Sequence, residues 1–375
     1  MWGLLAILSL SLLSPAQTPR KTSPPKSSPS PAEFERLSAE AARAREEDRL
    51  DDAIRSYNRA LRLRPRWEEG WWYVGTIHYE KDRWPECRDA FSRFTAINPK
   101  LSPGFALLGL CEFRLDLWDQ AHAHLNKAFQ LGMPEDDPLT YVAWYHTALL
   151  ETRARNFERA LQILAMLSRK KPGEPELYAA AGLASLRKPL LLKQLPENER
   201  ELALKLGQAV ITAAERRGAE ALAIFEEILT RWPSAPNVHY TFANYLLTID
   251  AERGIEELKK ELEISGEHLP GLVSLAMEYL KRGDPASALP FARRAAKAAP
   301  GNFTARTSLG RALTESGDLA GGIRELEAAV KLEPLSPQVR FYLASAYAKA
   351  GRKADADRER AEFTRLRKLI DSGGR

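Results

Sequence analysis

The chain has 375 residues, of which 44% are hydrophobic and 28% charged, and its 55 basic and 50 acidic residues leave a formal net charge of +5. That composition belongs to a folded protein and excludes a disordered one. Acids are interspersed with the bases throughout, which excludes the clustered basic stripe that nucleic acid requires.

Residues 4–13, Leu4 to Leu13, form an apolar run too short to span a bilayer but suited to the core of a signal peptide. Ser14-Pro15-Ala16 supplies small residues, which places cleavage after Ala16 and the mature chain in the periplasm or outside the cell. No Lys or Arg precedes the run, and no Cys follows it that could carry a lipid. Residues 17–32 are rich in Pro, Ser and Thr and read as a flexible linker. From residue 33 onward Ala, Leu, Glu, Arg and Lys dominate, which favours helix. No later segment is long and apolar enough to cross a membrane.

A step of 34 residues runs through the remainder, from Pro65 to Pro99 and from Pro300 to Pro334. Asp48, Asp82 and Asp116 keep it, as do Gly283, Gly317 and Gly351. Such self-similarity means stacked supersecondary units, none able to bury its apolar face alone. Aligned on the step, one column is small: Ala41, Gly75, Gly109, Ala148, Gly182, Ala243, Ala276, Gly310 and Ala344. A second is also small: Ala53, Cys87, Ala121, Ala160, Ala221, Ala288, Gly322 and Ala356. A third is large and apolar: Tyr57, Phe91, Leu125, Leu164, Phe225, Leu258 and Leu326. Small residues let two antiparallel helices approach, and the large one fills space toward the next unit. Asp, Asn or Gly turns the chain between the two helices, and proline stops the second. Arg306 and Arg340 stand where a large apolar residue is expected, predicting looser packing near the end.

The largest irregularity is Lys188 to Pro196, an apolar insertion bounded by prolines that either plugs the space of a missing helix or protrudes as a binding loop. It divides the array into residues 33–187 and 197–370, the latter closed by a capping helix, with a tail at 371–375. Cys87 and Cys111 match no zinc pattern. They are either small core residues of adjacent helices or a disulfide between neighbouring repeats, which an oxidising compartment would permit.

These columns resemble the tetratricopeptide repeat, and with the apolar leader the chain is similar to exported bacterial members of that family. The match is good at Trp71-x-x-Val74-Gly75-x-x-His78 with Cys87, Phe91, Phe94 and Pro99, and again at Leu309-Gly310 with Leu326, Ala329 and Pro334. The resemblance implies an all-α, right-handed superhelical solenoid of about nine stacked antiparallel helix pairs. It also implies a concave groove lined by set positions of each first helix. Carried over, those positions include Trp72 and Tyr79, then Leu110, Phe113 and Arg114, then Tyr145, Leu149 and Arg153. Leu183, Arg187, Tyr240, Asn244 and Phe341 follow. Arg114, Arg153 and Arg187 are expected to form a ladder suited to carboxylates.

Catalytic motifs are missing: no Glu-flanked His pair, phosphate loop or nucleophile elbow occurs. His122 and His124 point to different helix faces, and His78 and His239 fall on core-side columns. The sequence therefore reads as a non-enzymatic scaffold with a protein or peptide partner, neither cofactor nor metal, and no nucleic acid. A glycan-binding or glycan-processing protein and a self-assembling spacer are the alternatives.

Overall fold

The computed structural model describes residues 31–373. The apolar run, its cleavage site and the linker up to residue 30 lie outside the described residues. Among the described residues the regular elements are nineteen α-helices and one 3-10 turn, with no strand. The helices fall into two compact units. The first holds α1 (Pro31–Glu46), α2 (Leu50–Leu63), α3 (Glu68–Glu80), α4 (Trp84–Ile97), α5 (Ser102–Arg114), α6 (Trp118–Gln130), α7 (Pro138–Arg153) and α8 (Phe157–Lys170). The second holds α10 (Glu197–Ala214), α11 (Gly218–Arg231), α12 (Val238–Leu246), α13 (Ala251–Ser265), α14 (Leu269–Lys281), α15 (Pro285–Ala298), α16 (Phe303–Glu315), α17 (Leu319–Leu332), α18 (Pro337–Lys349) and α19 (Lys353–Gly373). The dividing line runs through α9 (Pro175–Ser185), after Ala180. Helix begins at Pro31, where the missing N–H of proline costs nothing.

Within each unit, helices pack as consecutive pairs. The three columns explain how. Every member of both small columns and of the large column is buried. A side chain on Gly75 would collide with Phe91, one on Gly109 with Leu125, and one on Gly310 with Leu326. The large residue therefore sits first on the glycine of its own pair. It also reaches onward, as Tyr57 does when its ring stacks on Tyr73 of α3 at 5.6 Å.

The 34-residue step of Asp and Gly is a backbone step. Asp48, Asp82 and Asp116 have φ of 56°, 54° and 58°, and Gly283, Gly317 and Gly351 have 72°, 96° and 75°. This left-handed residue turns the chain from the first to the second helix of a pair, and Asp and Gly tolerate it best. Arg155, Arg187 and Arg216 occupy the same conformation in the middle of the chain, at φ of 65°, 55° and 64°.

The proline that ends a second helix leaves a carbonyl without a helical partner. The residue six positions on supplies one. Trp71 donates to the Pro65 carbonyl (2.8 Å), Thr140 to Pro134 (2.7 Å) and His239 to Pro233 (2.9 Å). Arg306 donates to Pro300 (2.6 Å) and Arg340 to Pro334 (3.3 Å). The expected loosening at the two arginines does not occur. Each guanidinium replaces the indole as donor and pairs with a carboxylate of the second helix, Glu325 at 2.7 Å and Glu359 at 2.9 Å.

Around α9 the repeat changes. Gly182 of α9 lies so close to α10 that a side chain there would overlap the Ala203 carbonyl. The helix α11, whose Ala221 belongs to the second small column, pairs with α10. Of the insertion, Leu192–Gln194 forms the 3-10 turn, Leu195 is buried, and Leu190, Leu191 and Leu192 are half-buried. Leu195 thus plugs the core, and none of these leucines projects freely.

Candidate binding site

Residues at the ends of first helices and the starts of second helices build an aromatic and cationic patch in the first unit. Trp84 opens α4. Its indole meets the Tyr79 ring edge-on at 5.4 Å, and the Arg114 guanidinium, from the end of α5, lies over it at 5.1 Å. One repeat later Trp118 opens α6. Its indole meets Phe113 edge-on at 5.1 Å, and Arg153, from the end of α7, lies over it at 4.2 Å. His146 of α7 lies beside the second triad, its ring contacting Phe113 at 4.7 Å and Tyr145 at 5.4 Å.

The patch keeps cations and neutral rings together. Burial drives His146 down to about 4, the nearby Arg114 charge adds to that, and the Val142 carbonyl bonded to Nδ1 (2.8 Å) opposes it. His146 is therefore neutral at ordinary pH. Burial raises the Tyr145 hydroxyl to about 12, with the Glu176 charge acting the same way. Burial likewise raises Tyr79, while Arg114 pulls it down. A guanidinium lying on an indole keeps its charge while the ring shields one face, and its planar fork of N–H donors matches the geometry of a carboxylate.

The structure brings together Tyr79, Arg114, Phe113, Tyr145 and Arg153 among the residues expected from sequence, and corrects several. Phe113 is only 8% exposed, so its ring supports Trp118 from beneath and does not face solvent. Leu110, Leu149 and Leu183 are also buried, because first helices such as α5 and α7 pack on one another. Trp72 turns into its own helix pair, against Phe91 at 5.7 Å and Phe94 at 5.2 Å. Arg187 is not a rung of the arginine ladder. Leu117, Asn156 and Lys188 donate backbone N–H groups to Glu112, Glu151 and Leu183, so Ser185 is the equivalent of Arg114 and Arg153. Arg187 is two residues further on, at the left-handed turn, because α9 is shorter after its small residue.

In the second unit, Tyr240 packs edge-on against His268 at 4.9 Å, and its backbone N–H donates to Glu261 at 3.1 Å. Asn244 is exposed. Phe341 is 54% exposed, with Tyr342 and Phe363 as ring neighbours. Beside Phe341 the Arg311 guanidinium lies over the Tyr342 ring at 4.2 Å, a cation–ring contact built on tyrosine and not on tryptophan. Sequence reasoning passed over Trp84 and Trp118, although the two tryptophans keep the 34-residue step.

Several other histidines are held by buried carboxylates. Buried Glu112 and Glu151 take His124 (2.6 Å) and His122 (3.3 Å) respectively, so the two histidines do face different helices. His239 is enclosed by the Glu257 carboxylate at 2.5 Å and the Pro233 carbonyl. Among the described residues no group of three or more His, Cys, Asp or Glu could hold a metal ion, and no helix is long and apolar enough to cross a membrane.

The family model of the tetratricopeptide repeat matches residues 38–102, 273–325 and 310–357. No curated protein matches the sequence. Among solved structures, residues 41 to the end of MamA from Desulfovibrio magneticus RS-1 are 25% identical, with a TM-score of 0.39 over 45% of this chain and 94% of that one. YrrB, described as a TPR protein with an unusual peptide-binding site, is 19% identical, with a TM-score of 0.39 over 44% of this chain and 84% of its own. The APC/C hetero-tetramer Cut9-Hcn1 aligns over 89% of this chain and 87% of its own at 12% identity and a TM-score of 0.38.

Proposed function

Because this chain is a tetratricopeptide-repeat protein, we propose that it is an interaction scaffold and not an enzyme, and that the triads of Tyr79, Trp84 and Arg114 and of Phe113, Trp118 and Arg153 form its partner-binding surface. The partner is a peptide or protein segment that offers carboxylates alternating with apolar side chains. The observation that carries this reading is the repetition: two successive repeats hold the same Arg-on-Trp contact above an aromatic support. Tryptophan and arginine are the usual anchors of protein interfaces. An arginine already stacked in place gives up little conformational freedom when it pairs with a carboxylate. The scaffold works outside the cytoplasm. The apolar run at residues 4–13 and the Cys87–Cys111 disulfide, which an oxidising compartment sustains, both support that placement.

The test is fluorescence anisotropy with a fluorescein-labelled peptide of alternating Glu and Phe, and a Lys–Phe peptide as control. Arg114→Ala and Arg153→Ala should each weaken binding of the acidic peptide about tenfold. Equal affinity in wild type and both variants would remove the patch from the account.

A further inference from the structure

The disulfide between Cys87 and Cys111 joins α4 to α5, with both residues fully buried and their Cα atoms 6.1 Å apart. Its position along the two helices is what matters. Trp84 lies three residues before Cys87 on α4, and Arg114 three residues after Cys111 on α5. In an antiparallel pair those offsets place the bond one helical turn below the Trp84–Arg114 stack. The other end of the same contact is held by packing, because Phe94 lies so close to the Gly104 backbone that a Cβ on residue 104 would fall 2.5 Å from its ring. At the stack end the polar contact is long, with Arg88 Nε 3.6 Å from Glu112, whose other oxygen is taken by His124 at 2.6 Å.

We propose that the Cys87–Cys111 disulfide is a positioning element of the binding patch, holding Trp84 and Arg114 in register so that the first triad recognises a carboxylate only while the bond is intact. This rests on the patch being the partner-binding surface. The second triad is an internal control. There the residues equivalent to the two cysteines are Ala121, three after Trp118, and Leu150, three before Arg153, both buried and neither able to form a bond. Reduction by a dithiol breaks the S–S bond. Two electrons and two protons convert it to two thiols, and the dithiol closes to its own disulfide. The first triad then has only side-chain packing and the long Arg88–Glu112 contact to set it, and the second is unchanged.

The experiment is a set of double-mutant comparisons on the full chain, with the Glu–Phe peptide as probe. Cys87→Ala with Cys111→Ala removes the bond without excess volume, since Ala53 and Ala121 already fill the position of Cys87 in neighbouring repeats. With the disulfide present, Arg114→Ala and Arg153→Ala should each cost about tenfold in affinity. In the double-alanine background, and in wild type treated with dithiothreitol, Arg114→Ala should cost less than about twofold while Arg153→Ala still costs about tenfold. A bond that served stability alone would leave the two arginines equally important in both backgrounds, and that result would overturn the proposal. If neither arginine matters even with the bond intact, the patch reading fails instead.

Discussion

In the first unit the second to sixth helices start at Arg49, Trp67, Arg83, Leu101 and Leu117, none with a side-chain cap. In the second unit Asp250, His268, Asp284, Asn302 and Asp318 each accept a backbone N–H at the head of their helix. Six of the eight tryptophans, at 67, 71, 72, 84, 118 and 144, belong to the first unit, as does the disulfide. The division is not complete, since Asp137 caps α7 in the first unit and α10, α11, α12 and α18 lack a side-chain cap in the second, but the consecutive run of capped helices falls in the second unit and most tryptophans in the first. Large aromatic side chains that staple helices together also reach the surface as anchors, so the unit held by them is the one that carries the patch.

The largest effects should ignore this difference, because the core columns are shared. Phe91→Ala and Phe225→Ala, both fully buried, should each cost about 3–5 kcal/mol in urea unfolding followed by hydrogen exchange. A clear inequality would mean that the units do not share a packing rule. Gly182→Ala, which forces a methyl group into the Ala203 carbonyl, should cost roughly 1–3 kcal/mol by the same measurement. Asn302→Ala should cost about 1 kcal/mol and loosen only the second unit, since its side chain accepts from Ala305 at 2.9 Å. A smaller gain is expected at the turns. Arg216→Gly relieves a left-handed backbone and should stabilise by roughly 0.5 kcal/mol, read as a rise in Tm.

Protonation separates the units by sign. Burial holds His146 at about 4, below its ordinary 6.5, so its contribution is present above 6.5 and is lost as pH falls toward 4. His239 moves the other way. Burial lowers it, but its bonds to Glu257 and the Pro233 carbonyl outweigh burial and raise it. Its contribution is present below 6.5 and is lost as pH rises through the raised value. His146→Phe should flatten the acid limb of the stability profile and His239→Gln the alkaline limb. Identical profiles in the two variants would contradict both assignments.

Most of the fold was legible because packing writes itself into a period. The columns from Ala41 to Ala344 and from Tyr57 to Leu326 mark buried positions. The step shared by Asp48, Asp82 and Asp116 marks a backbone angle. Where helix length varies, counting from a small residue fails: Arg187 was placed two residues out because α9 reaches its turn sooner after Gly182. Phe113 was misjudged because a first helix also packs on its neighbouring first helices. Trp84 and Trp118 were missed because only first-helix positions were carried over, although the central indole of each triad stands on a second helix. The disulfide stayed open because sequence spacing carries no distance between side chains.

The central claim is that the Trp84 and Trp118 triads are where this protein holds a partner. Hydrogen exchange with mass spectrometry on the full chain, with and without the Glu–Phe peptide, tests it most directly. New protection should fall at residues 79–84, 113–118 and 146–153 and disappear with Arg114→Ala combined with Arg153→Ala. Protection confined to residues 197–373, or protection that survives in that variant, would contradict the account.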